Sequence, residues 1–192
     1  MMEQTKWNET VIVVQADYAD RLAFDLTVNF ERMLGRRIPK ADLAQWLVCL
    51  ALDGGLTPGG HTVNVILIHG KEHAGLENFS PAVYEQEIDG QAFTDPHLGE
   101  FLLNALPVEK LVDESDYFGQ VAETLLNAAE VKRIVLVPDV EDIPALRPLL
   151  SRTEGKEVTL LSMEPMTLRG ARHEIVGYSL MNALGIKGEE LA

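Results

Sequence analysis

At 192 residues and 46% apolar composition, the chain is long enough for one well-buried core and short for two. Its 16 basic and 30 acidic residues give a formal charge of −14, which repels polyanions at long range, so a nucleic-acid partner would need a local basic patch or bound divalent cations. The one cysteine, Cys49, cannot form an internal disulfide, the opening residues are too polar for a secretory signal, and no apolar run approaches membrane-spanning length; a cytoplasmic protein is expected.

Residues 11–14 are a β-branched run that reads as a first buried strand, ending near Asp17. Leu22, Leu26, Phe30, Met33 and Leu34 then recur at three-to-four spacing, which predicts an amphipathic helix closed near Gly35. Leu43, Leu47, Leu50 and Ala51 repeat that period until Gly54 and Gly55, and Cys49 within this pattern reads as a small core residue. Residues 63–68 predict a second central strand. The stretch 71–95 has two readings: an irregular surface insertion, or a small hairpin over 84–93 turning at Asp89 and Gly90, a pair suited to a type I′ turn.

Leu98, Phe101, Leu102 and Leu106 predict a short helix ending before Pro107. Ser115 is a candidate cap for the next helix, whose apolar face is Phe118, Val121, Ala122, Leu125 and Leu126. A third strand over 134–137, a helix over 143–150 with Pro144 in its first turn, a fourth strand over 158–161 and a helix over 174–184 complete the chain. Strands alternating with helices predict an α/β fold of three layers, α/β/α, with a mainly parallel central sheet.

Phosphate-loop, dinucleotide-turn, nucleophile-elbow, Cys-x-x-Cys and H-E-x-x-H patterns are all missing, so no nucleotide cofactor is indicated. His69 and His73 are four apart, but Gly70 between them argues against a shared helical face, and separate surface roles are expected. What remains is a set of carboxylates at element boundaries: Asp17 after the first strand, Asp113 and Asp116 at a helix start, and Asp139 with Glu141 and Asp142 after the third strand. In a parallel sheet the carboxyl ends of adjacent strands share one edge, so Asp17 and Asp139 converge if their strands are neighbours. Carboxylates gathered there suit Mg²⁺ or Mn²⁺, which prefer oxygen ligands. Each also has an ordinary structural explanation: Asp116, Glu141 and Asp142 favour helix N-termini, and Asp17 and Asp139 lead strands into turns.

The order of these residues resembles the NYN branch of the PIN-like nucleases. There a first strand ends in Asp, a later Asp begins a helix, and the next strand runs into a D-x-D segment followed by a helix, a glycine and a closing strand. Here VIVVQAD ends at Asp17, SDYFGQVAETLLNAA carries Asp116, IVLVPDVEDIPALRPLL carries Asp139, Glu141 and Pro144, and GKEVTLLSMEP supplies Gly155, Lys156 and the strand over 158–161. The resemblance implies a PIN-like, Rossmann-like topology, metal ligation by Asp17, Asp116 and Asp139, support from Glu141, and Mg²⁺- or Mn²⁺-dependent cleavage of RNA. Val137 and Pro138 stand where that family places a small hydroxyl residue and glycine, Glu141 replaces an Asp, and Asp142 takes an aromatic position. The alternative expectation is therefore a catalytically degenerate interaction or assembly domain, for which Trp7 and Phe79 are candidate exposed apolar groups. A third is a small-molecule binder with an anion near Arg169 and Arg172. A homodimer is expected only as the common state of soluble proteins.

Overall fold

The structure is a computed structural model, and it describes residues 6–109 and 113–191. The Ser115 side chain, expected as a cap, lies outside the described residues; the helix itself starts one residue earlier, at Glu114. The chain runs β1 (Thr10–Gln15), α1 (Ala16–Leu34), β2 (Ala41–Asp42), α2 (Leu43–Asp53), β3 (His61–Gly70), β4 (Phe79–Ser80), a π-helical turn (Tyr84–Ile88), β5 (Ala92–Asp95) and β6 (Gly99–Val108). It continues with α3 (Glu114–Asn127), β7 (Arg133–Val137), a 3₁₀ turn (Val140–Asp142), α4 (Ile143–Leu150), β8 (Glu157–Ser162), β9 (Arg172–Ile175), α5 (Val176–Ala183) and a last 3₁₀ turn (Gly188–Leu191).

Seven strands form one sheet in the order β5-β6-β3-β1-β7-β8-β9, with every neighbouring pair parallel except β5 against β6. Counted along the chain, the six parallel strands lie in the order 3-2-1-4-5-6, a doubly wound sheet whose direction of winding reverses between β1 and β7. Helices cover both faces. Ile12 and Val14 point to the side packed by α1, α2 and α5, while Val11 and Val13 point to the side packed by α3 and α4. Burial on two faces is why β1, β3, β7 and β8 read as near-continuous apolar runs.

The predicted helix around Leu98 to Leu106 is instead strand β6, paired with β3 from His61↔Gly99 to Gly70↔Val108. Phe101, Leu103 and Ala105 alternate into the α1 side of the core, so the segment satisfies a two-residue period as well as the helical one. Pro107 is tolerated because Leu103 and Ala105 turn their N–H groups outward, to Gln91 and the Asp89 carboxylate, and the same alternation puts the missing Pro107 donor on the outer edge.

Segment 71–95 is neither a loose insertion nor a hairpin centred on Asp89 and Gly90. It is the crossover from β3 to β6, and it buries Leu76, Phe79, Tyr84 and Ile88 in the core under β3 and β6. The hairpin that does form joins β5 to β6. Phe79 is thus a core residue, and Trp7 packs partly buried on the other face, so neither is a free apolar surface. Cys49 is half-buried rather than fully internal.

Asp53, near the carboxyl end of α2, has its pKa pushed up to about 6 by burial first and by Glu174 second, with Arg172 acting in the opposite direction. A folded-state pKa above the unfolded value means that the folded protein holds this proton more tightly. Its stabilising contribution is present below the unfolded pKa and is lost as pH rises toward 6. Asp53→Asn is therefore expected to be more stable than the parent at about pH 8, by about 1–2 kcal/mol after discounting for solvent screening, with the gap closing near pH 4. Urea midpoints at the two pH values measure it, and a gap that is equal at both would refute the assignment.

Candidate functional site

The reversal between β1 and β7 opens a crevice at the carboxyl edge of the sheet, where open α/β sheets bind ligands. β1 passes into α1 with no intervening loop, so Asp17 sits in the first turn of a helix instead of ending a strand. One Asp17 oxygen accepts from the Gly70 N–H at 2.7 Å and the other lies 3.0 Å from Nδ1 of His73. The next turn of α1 supplies Asp20, which accepts the N–H groups of Glu77 and Asn78 and pins the crossover. It also supplies Arg21, whose guanidinium reaches Asp139 at 3.1 Å and lies over the Tyr18 ring.

On the β7 side, Asp139 caps the 3₁₀ turn through the Glu141 N–H. Gln15, buried at the end of β1, ties the two sides together: its amide N–H donates to Asp142 at 3.0 Å and its carbonyl accepts the Asp139 N–H.

The result is a cleft of about 340 Å³ that, among the described residues, is lined by six carboxylates, Asp17, Glu72, Asp113, Glu114, Asp139 and Asp142, against the Arg21 guanidinium and the His73 imidazole. The crowding shows in the titrations. Burial, then Asp17 and Glu72, raise the Glu114 pKa. Burial raises that of Asp142 against the opposing Gln15 hydrogen bond, and Asp139 and Asp113 add to the rise. The hydrogen bond to Asp17 raises the His73 pKa and favours its imidazolium form.

A larger cavity of about 510 Å³ adjoins this cleft and shares His73 with it. Its walls include Val83, Ala105 and Pro107 together with His69 and Tyr84, whose rings stack at 3.7 Å and 9°. His69 is therefore buried against an aromatic ring, not a surface group as its place beside Gly70 suggested. Tyr84 is 3% exposed, and its hydroxyl is buried with no hydrogen-bond partner among the described residues.

Of the residues singled out in the sequence, the structure brings Asp17 and Asp139 to one cleft, each just past the carboxyl end of one of the adjacent strands β1 and β7. Asp116 is exposed on α3 and does not line the cleft, where Asp113 and Glu114 stand instead. Glu141 is exposed too and contributes its backbone N–H rather than its carboxylate. The Mg²⁺ or Mn²⁺ implied by the PIN-like resemblance does not fit this donor set. Both oxygens of Asp17 and of Asp139 already face N–H donors, the third expected ligand is elsewhere, and no three His, Cys, Asp or Glu side chains among the described residues are placed to share an ion.

Gln15, Arg21, Glu72 and Glu114 escaped the sequence reading, and His73, expected in a surface role apart from His69, lines the cleft beside Asp17. Gln15 alone carried a signal, as a polar residue closing an apolar strand. Arg169 and Arg172, the expected anion pair, part company: Arg172 belongs to β9 and pairs with Glu174, while Arg169 borders a small groove beside α4. Among the described residues no helix is long and apolar enough to cross a membrane.

No curated protein and no solved structure matches the chain. A family model does match, over residues 4–191, and its description is a family of unknown function, DUF6621; the chain belongs to that family.

Proposed function

We propose that this chain is a divergent PIN-like domain that has exchanged metal-dependent hydrolysis for ligand binding at its carboxyl-edge cleft. The PIN-like part of the reading is supported by the adjacency of β1 and β7, each leading into an Asp at the reversal point, and by the helix, glycine and strand that follow. The single observation that carries the loss of hydrolysis is the pair of contacts Arg21–Asp139 and His73–Asp17. The Arg21 guanidinium and the His73 ring occupy the carboxylate oxygens that a nuclease of this class would turn toward metal. A charge of −14 acts against RNA in the same direction.

The competing reading, a Mg²⁺- or Mn²⁺-dependent ribonuclease, requires Arg21 and His73 to yield both positions. The two separate in one experiment on the full chain: single-stranded RNA with each metal, comparing the parent with Asp139→Asn. The expected result is no metal-dependent cleavage by either protein. Cleavage by the parent that Asp139→Asn abolishes would restore the nuclease.

A further inference from the structure

We propose that the acidic cleft and the cavity beside it form one two-part site for a small organic amine. The ammonium head is held among Asp17, Glu72 and Glu114, and the flat apolar body lies in the chamber of Tyr84, His69, Val83 and Pro107. The proposal rests on the reading of the cleft as a metal-free binding site and names the ligand class it takes.

The first support is the Tyr84 hydroxyl. A buried hydroxyl with no partner costs folding free energy, so such a group calls for an explanation. Its surroundings state which ligand would satisfy it. Tyr84 lines the chamber that shares His73 with the acidic cleft, and burial first, then the charges of Asp17, Asp20 and Glu114, push its pKa far up, so the cleft's negative field reaches it. That field rejects an anion and favours a cationic N–H donor, from which the phenolic oxygen can accept. The second support is the pattern of pairing. Arg21 serves Asp139 and Gln15 serves Asp142, whereas Glu72 and Glu114 have no ion pair among the described residues.

The third support is His73, which touches both cavities. It pairs with Asp17 at 3.0 Å, and it lines the cleft together with Glu72 and Glu114, whose charges add to the rise in its pKa that the Asp17 hydrogen bond dominates. Its side chain is 51% exposed, and the pair with Asp17 is its only ion pair among the described residues. A ligand ammonium can take the place of the His73 ring as the partner of Asp17, with no net change of charge where that ring is protonated, and the displaced ring opens the boundary with the chamber. The chamber supplies what a bare inorganic cation would not use, the aliphatic walls of Val83, Ala105 and Pro107 beside the edges of the stacked His69 and Tyr84 rings, with Lys71 and Glu85 among the polar residues of its lining.

The test is calorimetric titration of the full chain with tyramine, an aryl-ethyl ammonium, against N-acetyltyramine, which keeps the body without the charge, and ethylammonium, which keeps the charge without the body. Tyramine is expected to saturate one site, and each truncated probe to bind at least about tenfold more weakly. Glu114→Gln is expected to weaken tyramine about tenfold, and His73→Ala, which removes the competing imidazolium, to tighten it. Tyr84→Phe is expected to weaken tyramine while raising the melting temperature of the free protein, a combination that misfolding cannot produce.

Equal binding of tyramine and N-acetyltyramine, or no tyramine binding by either the parent or His73→Ala, overturns the amine site. A parallel titration with Mn²⁺ separates the two layers. Silent Mn²⁺ with silent tyramine removes the ligand class and leaves the metal-free cleft, whereas Mn²⁺ binding that Asp139→Asn abolishes removes both.

Discussion

Replacing Gly99 with Ala is expected to destabilise the protein by about 3–5 kcal/mol, read as a lower urea midpoint with an unchanged slope. Gly99 opens β6 with a φ of 107°, a conformation that only glycine adopts at little cost. It also lies against its register partner in β3: a Cβ there would come within 2.2 Å of the His61 carbonyl oxygen and 2.6 Å of the His61 nitrogen. Those are backbone atoms of a paired strand, and the His61 N–H is itself bonded to the Leu98 carbonyl at the same corner. No flexible side chain is present to give way. Relief requires separating β6 from β3 at its amino end, which loosens the β5–β6 hairpin as well. A change of less than about 1 kcal/mol would mean that the corner relaxes freely and that the close approach has been overestimated.

A loss of similar size, about 3–5 kcal/mol, is expected for Trp46→Ala. Trp46 is 1% exposed on α2, its indole N–H donates to the Ser179 hydroxyl of α5 at 3.0 Å, and its ring tilts over Phe79 of β4 at 5.2 Å. One side chain therefore joins two helices and the crossover strand on the same face of the sheet. Trp46→Phe separates the contributions. It keeps an aromatic contact with Phe79 and loses the hydrogen bond and part of the volume, so about 1–2 kcal/mol is expected. Ser179 stays satisfied as a donor, because its hydroxyl hydrogen bonds to the Val176 carbonyl. Thermal unfolding followed by far-ultraviolet circular dichroism avoids reliance on the fluorescence of the mutated residue. Equal losses for Ala and Phe would mean that the hydrogen bond, not the packing, holds α2 to α5.

These two sites stabilise the framework and lie apart from the cleft's own chemistry. The cleft has the opposite character: it gathers like charges that work against folding. Burial and neighbouring carboxylates raise Glu114 and Asp142. Such repulsion is tolerated where a site needs the charge, and Arg21 and His73 limit it without cancelling it.

The central strands were legible from the sequence because a parallel strand buried on both faces is built mostly of apolar residues, with only isolated polar ones such as Asn64 and Thr159. The runs at 11–14, 63–68, 134–137 and 158–161 follow directly from that requirement. The helices α2, α3 and α4 were legible for the complementary reason, a single apolar stripe against one face of the sheet. Strand β6 was not, since its apolar residues fit two periods and only pairing with β3 selects one. Nor was β9, where Arg172, His173 and Glu174 give an edge strand the composition of a loop.

The same division runs through the site. Asp17 and Asp139 were identifiable as acidic residues leaving buried strands, and the sequence alone determined that they stand at boundaries of an α/β chain. Only the tertiary structure decided what they do there. Strand order sets β1 between β3 and β7, and this brings His73 from one side to Asp17, while Arg21 of α1 reaches Asp139 on the other. A carboxylate's role depends on which charges lie within a few ångströms of it, and for these two residues those charges come from distant parts of the chain, so no local pattern records them.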